Sequence, residues 1–313
     1  MHPTILPAFF EISRTVVSTC SAGVVLLLIG VVATKRDFAQ ARGLDKIVAL
    51  ANLCFAAPLA VFGAEHFAAA RDIMQIVPKF MPWPLFWTYF VGVALLAASL
   101  SIATKIQVRW SGLLFGIMMF LFVAMMDLPG TLADRHNRIS WVLLAREMSF
   151  GAGGWILAGN AQREQSKSRF LILGRSFIES APILITIGRI VIGVAVIFYG
   201  VEHFLHPLNV PGVPLEKLMP TWIPARALIS YLTGAILFLA GAAILLAKKT
   251  RMAATYLGTW IFLLVLVVYG PILIASLLDP STDVKVEGIN YFFDTLLYAG
   301  TILALASATP RTD

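Results

Sequence analysis

The chain has 313 residues, of which 59% are hydrophobic and 13% charged, against about 25% charged in an ordinary soluble domain. That excludes a soluble globular fold. It also excludes a soluble domain on one anchor, because apolar runs near the ~20 residues that cross a bilayer recur along the whole length. The net charge of +7 does not imply nucleic acid, since the Lys and Arg residues form short clusters between apolar runs with no basic aromatic stripe; the partner these runs demand is the lipid bilayer.

Cutting the runs at charges and at Pro or Gly clusters predicts nine spans: 15–34, 46–69, 85–104, 110–128, 139–159, 182–205, 225–247, 252–277 and 289–308. The first, TVVSTCSAGVVLLLIGVVAT, follows a segment whose one Arg is balanced by one Glu and shows no evident small-x-small cleavage site, so it reads as a retained helix. Cys20 in it and Cys54 in the second span form no CxxC or metal-ligand spacing and read as buried small residues. The second span ends in AVFGAEHFAA, with Glu65 and His66, and leads through VPKFMPWP to a third span that begins at Tyr89. Asp127 ends the fourth span, and Arg146 and Glu147 lie about two turns into the fifth. The polar linker QREQSKSRFLILGR leads to the sixth span, which carries Arg189 and ends in IFYGVEHFLH, with Glu202 and His203. Beyond HPLNVPGVPLEKLMPTWIP, the seventh span begins near Tyr231, the eighth contains Tyr269 and the ninth Asp294. Backbone groups in hydrocarbon must be bonded within the segment, and strand-length alternation is absent, so the expected fold is all-α: a polytopic helical membrane bundle.

The two EHF stretches belong to a longer correspondence. KFMPWP matches KLMPTWIP, TYFVG matches SYLTG, Gly116 matches Gly258, Pro129 matches Pro271 and GGWILA matches AGTILA, in the same order. The expected organisation is an N-terminal helix and loop (1–45), a four-helix repeat (46–161), a basic linker (162–181) and a second four-helix repeat (182–308). Four spans per copy make the repeats parallel, unlike the inverted repeats common in alternating-access transporters. Lys and Arg collect in one set of connections, including Lys35, Arg36, Arg42, Lys46, Lys105, Arg109, Arg163, Lys167, Arg169, Arg175, Lys248, Lys249, Arg251 and Arg311. Positive connections stay cytoplasmic, which places the amino terminus outside and the carboxyl terminus inside, in what reads as a bacterial inner membrane.

With that topology Glu65, His66, Tyr89, Asp127, Arg146 and Glu147 of the first copy, and Glu202, His203, Tyr231, Tyr269 and Asp294 of the second, fall in one outer layer as two expected clusters. Ionisable groups in a span mark a function or a pairing partner. Imidazole beside carboxylate can relay protons, and neighbouring aromatic rings could hold a quinone head group; the structural alternative is that these side chains snorkel to the headgroups and cap helix ends. No metal site is expected: His203 and His206 are one turn apart, but the first copy has Ala69 at the second position. Haem on His66 and His203 is disfavoured, as nothing specifies a porphyrin. Arg189, opposite Asn52 in the first copy, reads either as snorkelling or as an anchor for an anionic group or lipid phosphate. Trp83 and Trp222 read as interfacial belt anchors.

The span endings GAEHF and GVEHF, the Pro-rich loop after them, the central Gly of the next span and the early Arg in GRIVIGVAVIFYGVEHF resemble the DoxX-like superfamily of four-span membrane proteins, over about residues 46–160 and again 183–306. That resemblance implies a membrane component of a quinone-linked redox system with a redox partner protein, since the superfamily includes the membrane subunit of a thiosulfate to quinone oxidoreductase and proteins linked to thiol or oxidative-stress functions. The chain departs from it in being duplicated, in lacking the Arg in the first copy and in having no cysteine pair. The alternative reading is a non-enzymatic small-solute transporter, lipid-binding or partner-binding scaffold.

Overall fold

The structure is a computed structural model that describes residues 13–168 and 180–310, with side chains to residue 163 and from 181. Within the expected basic linker, 169–179 with Arg169 and Arg175 lie outside the described residues, as do Arg311 and the side chain of Lys167.

The described residues are helical apart from connections and one isolated bridge between Asn209 and Leu218. Nine main helices follow the nine apolar runs: α1 (Arg14–Gln40), α2 (Ala51–Ala68), α3 (Pro84–Thr104), α4 (Val108–Phe122), α5 (Arg138–Ser168), α6 (Ser180–Leu205), α7 (Arg226–Leu245), α8 (Thr250–Leu264) and α9 (Thr282–Ala308). A short turn, Asp45–Val48, leads into α2. Eight of the helices are long and apolar enough to cross a membrane. The helix outside that set is α5, which carries Arg146 and Glu147 about two turns from its start. This protein is therefore an integral membrane protein by the length and composition of its helices.

Several local features occur twice. Below α4 the helix widens into a π segment, Val123–Asp127, and resumes as Leu128–Ala133 with Pro129 in its first turn; below α8 it widens at Val265–Tyr269 and resumes as Gly270–Leu278 with Pro271 there. The missing N–H of proline and its ring force the helix to give up its regular bond at that point, and the extra residue of a π turn absorbs the mismatch. Left-handed backbone at non-glycine residues recurs in the same pairing: Trp83 with Ala225 at the starts of α3 and α7, and Lys105 and Gln107 with Ala247 and Lys249 at the turns into α4 and α8. Each pair is separated by the same number of residues.

Neighbours in the bundle run α3, α2, α9, α8, α7, α6, α5, α4 and back to α3, with α5 and α9 also packed on each other through the middle and α1 laid against α2 and α3. Thus α9 lies against α2, and α5 against α6. Helices α9 and α2 are mostly buried, and α1, α3, α4, α6, α7 and α8 present faces outward. The outward faces carry Val32, Phe86, Leu114, Leu239 and Val267, an apolar surface suited to lipid.

Candidate functional site

The repeated G-x-E-H-F element closes α2 and α6, and most of it is a helix-packing device. Gly63 meets Gly92 of α3, and Gly200 meets Gly234 of α7; a Cβ added at Gly92 would sit 3.0 Å from the His66 Cβ, and one at Gly234 would sit 3.0 Å from the His203 Cβ. Small residues let the backbones touch where lipid offers no hydrophobic drive between helices. Phe67 stacks on Tyr89 with centroids 5.5 Å apart, and Phe204 on Tyr231 at 6.2 Å. Tyr89 and Tyr231, expected in the polar layer, face outward as ring partners and do not join it. His66 Nδ1 lies 2.7 Å from the Phe62 carbonyl and His203 Nδ1 2.6 Å from that of Tyr199. A carbonyl only accepts, so in both rings Nδ1 carries the proton and Nε2 is left as an acceptor.

The carboxylates of the element point across the halves. Asn290 of α9 donates to Glu65 at 3.1 Å, and Arg138 at the start of α5 donates to Glu202 at 3.1 Å, with His206 Nε2 at 3.7 Å from the same carboxylate. Between them, Arg146 of α5 donates through Nη1 to Asp294 of α9 at 2.7 Å, and through Nη2 and Nε to Glu147 at 2.7 and 3.1 Å. The side chains of Arg146, Glu147 and Asp294 are 20%, 16% and 11% exposed, so the centre is sheltered yet open on one side. Asp127, on the first π segment, lies within electrostatic reach of Arg146 and Glu147, and Glu65 within reach of Asp294. The structure joins residues expected in two separate clusters: Arg146 and Glu147 of α5 meet Asp294 of α9 in one centre, two carboxylates on one guanidinium, while Glu65 is bonded to Asn290. Tyr199 backs the centre, fully buried, with its hydroxyl on the Val142 carbonyl at 2.6 Å and its ring edge-on to Tyr298.

The two histidines differ in what lies above them. In the second half the connection after α6 folds inward, burying Val210, Val213, Leu215 and Met219. The Gly212 N–H donates to His203 Nε2 at 2.9 Å, Thr295 donates to the Val213 carbonyl at 2.7 Å, and Arg138 to the Leu215 carbonyl at 3.2 Å. Gly212 holds this approach at φ 120°, a region that side chains rarely adopt. Tyr269, at the place of Asp127, is buried next to Gly212 with its hydroxyl unpaired. In the first half the connection after α2 runs through the turns Ala70–Ile73 and Met74–Ile76 and leaves Ile76, Phe80 and Trp83 exposed. Among the described residues nothing donates to His66 Nε2. The site around His203 is thus filled by the chain itself, while His66 is half-buried, with no described residue bonded to its Nε2.

Sequence reasoning missed Arg138, which reads as one more loop cation, together with Asn290, Tyr199 and Gly212. Their signal lies in the greater length of the second Pro-rich connection, which is long enough to fold inward. Arg189 donates to the Ile244 and Leu245 carbonyls at 2.6 and 2.9 Å, satisfying the last turn of α7. His206 turns toward Glu202 and His203 toward Gly212, so that pair does not converge; among the described residues no three His, Cys, Asp or Glu side chains come together to hold a metal ion. Comparison of the chain with family models, with curated proteins and with solved structures finds no match.

Proposed function

We propose that this chain is a DoxX-like membrane protein of nine spans, one N-terminal helix and two parallel four-helix copies, whose charge centre takes up protons from the outer side for a bound polar head group, a quinone being the redox candidate. The paired π segments and paired left-handed residues support the duplication, and the basic connections at the end opposite the histidines support an outside amino terminus. In this reading α5 is the fifth span and Arg146 and Glu147 lie inside it.

One observation carries the proposal: a single guanidinium, Arg146, is shared by two carboxylates, Glu147 and Asp294, at a sheltered level of the bundle, which leaves negative charge in excess there. An uncompensated charge there costs several kcal/mol, so a proton or a cation must accompany the excess carboxylate. His66 Nε2, an open acceptor next to Glu65, provides the route by which a proton enters. The second half lacks such a route because Gly212 occupies His203.

The test is infrared titration of the purified protein in the protonated-carboxyl region, with mass spectrometry of its organic extract for quinone. A protonated-carboxyl band at neutral pH that is lost in Asp294→Asn, together with a co-purifying quinone, is expected. Absence of the band would overturn proton uptake. A band without quinone, with a solute or lipid that stabilises the wild type and not Glu65→Gln, would move the assignment to a transporter or binding scaffold.

A further inference from the structure

Two of the nine helices are set apart by composition, and they pack on each other through the middle of the bundle. Helix α5 is not among the eight apolar enough to cross a membrane, and α9 is the least apolar and the most buried of those eight. Polar side chains at membrane depth that face the bundle interior mark a path or a site between helices.

The polar groups of this seam fall in steps from the outer to the inner end. At the outer level Arg146 donates to Asp294 at 2.7 Å. One turn inward lie Ser149 of α5 and Tyr298 of α9, both fully buried, with the Tyr298 ring edge-on to Tyr199 behind the charge centre. The Ser149 hydroxyl is committed to the Ala145 carbonyl at 2.7 Å, and the Tyr298 hydroxyl faces Ser149 without forming a bond of ordinary geometry. The next step is Thr301, also fully buried, whose hydroxyl has no partner among the described residues and points at Gly153: a Cβ added there would lie 2.6 Å from it. At the inner end Asn160 of α5 and Ser307 of α9 meet at 3.5 Å and line a cavity of about 560 Å³ with Asp45, Lys105 and Arg251 of the basic connections.

Packing does not account for this series. A buried hydroxyl without a partner is destabilising, and Phe at 298 or Val at 301 would fill the same space without that cost. Such groups are completed by water. Tyr298 and Thr301 are about 4.5 Å apart along the axis, at ~1.5 Å per residue, close enough for one water to join them. Beyond Thr301 the same faces carry Leu157 and Leu305, both buried, as an apolar interval before the cavity.

We propose that the seam between α5 and α9 conducts protons across the membrane, from the charge centre through the hydroxyls of Tyr298 and Thr301 to the inner cavity. Each hydroxyl accepts a proton from one side and releases its own to the other, so one proton enters at Asp294 and one leaves into the cavity, with nothing oxidised or reduced. Leu157 and Leu305 form a dry constriction that conducts only when it wets. This conduction rests on the proton uptake proposed for the charge centre and supplies its exit.

The experiment places the full chain in liposomes of phosphatidylcholine and phosphatidylglycerol that hold a pH-sensitive dye, with a potassium diffusion potential set by valinomycin to drive protons inward. Wild type is expected to acidify the lumen faster than protein-free liposomes. Thr301→Val and Tyr298→Phe keep the volume and remove the hydroxyl, and each is expected to slow the flux about tenfold, the effect of one lost hydrogen bond in the path. Thr301→Ser keeps a hydroxyl and is expected to retain the flux. Thr259→Val removes an unpaired buried hydroxyl of α8, off the seam, and is expected to change nothing. A wild-type flux no faster than that of protein-free liposomes, or equal to that of Thr301→Val, overturns the proposal; so does Thr301→Ser as slow as Thr301→Val, should the other variants fail to fold. The infrared titration separates the two readings: a protonated-carboxyl band without flux removes conduction and leaves uptake standing, whereas neither band nor flux removes both.

Discussion

Replacing Arg146 by Met keeps most of the side-chain volume and removes the only guanidinium of the charge centre. Three hydrogen bonds to two carboxylates disappear, at 2.7, 2.7 and 3.1 Å. Glu147 and Asp294 remain, with side chains 16% and 11% exposed, too sheltered for solvent to replace the lost cation. Breaking a buried pair by removing one partner costs about 3–5 kcal/mol, most of it the desolvated charge left behind. We expect Arg146→Met to lose about that much in reversible unfolding in mixed micelles with a denaturing detergent. Adding Asp294→Asn removes one orphaned carboxylate, so the double variant should be more stable than Arg146→Met alone, with a coupling of about 1–3 kcal/mol between the two sites. A loss within about 0.5 kcal/mol for Arg146→Met, the scale of an inert surface change, or strict additivity of the pair, would refute the view that Arg146 holds the carboxylates together.

The two histidines should separate by assay: His203→Ala strands the Gly212 N–H and should cost about 1–3 kcal/mol, whereas His66→Ala should cost less in stability and act on proton uptake seen by infrared titration. Gly200→Ala places a Cβ 2.8 Å from the Phe238 backbone nitrogen, an overlap that only a shift of the helix can relieve, and should lower stability by about 1–3 kcal/mol as read from the unfolding midpoint. Tyr199→Phe removes a 2.6 Å bond to the Val142 carbonyl and should cost about 1 kcal/mol in the same measurement. In the connection after α6, the hydrogen bond to Glu287 raises the Lys217 pKa above the ordinary lysine value. Its small contribution, at most about 0.5 kcal/mol for so exposed a pair, is complete at neutral pH and fades only as pH rises through the alkaline lysine range. Lys217→Ala should therefore differ from wild type slightly at neutral pH and not at all above that range.

The helices were legible because hydrocarbon leaves the backbone no choice, and each apolar run formed one. The depth of the ionisable groups was legible too: Arg146, Glu147 and Asp294 meet because each lies a few turns along its helix. What the chain order concealed is which helices are neighbours. Glu202 pairs with Arg138, and Glu65 with Asn290, because α5 packs on α6 and α9 on α2, and no local pattern encodes those contacts. The outward turn of Tyr89 and Tyr231 was hidden for a different reason, since a phenol at a helix start fits a polar cluster and a stacked ring equally well. Arg189 illustrates a third limit: one arginine near a helix end fits an anion anchor or a carbonyl cap, and only the position of α7 decides.

The packing of α9 on α2 also governs how this protein can be made. During synthesis α2 emerges with this seam uncovered, and the helix that covers it follows only after α3 to α8. Until then that seam must be shielded by lipid or by an insertion factor, and a chain truncated before α9 would leave it open permanently. Cutting the polypeptide between α5 and α6 should therefore yield two fragments that are soluble in detergent only together. A single connected chain keeps the two partners at equal dose, a role that a pair of separate subunits would leave to gene expression.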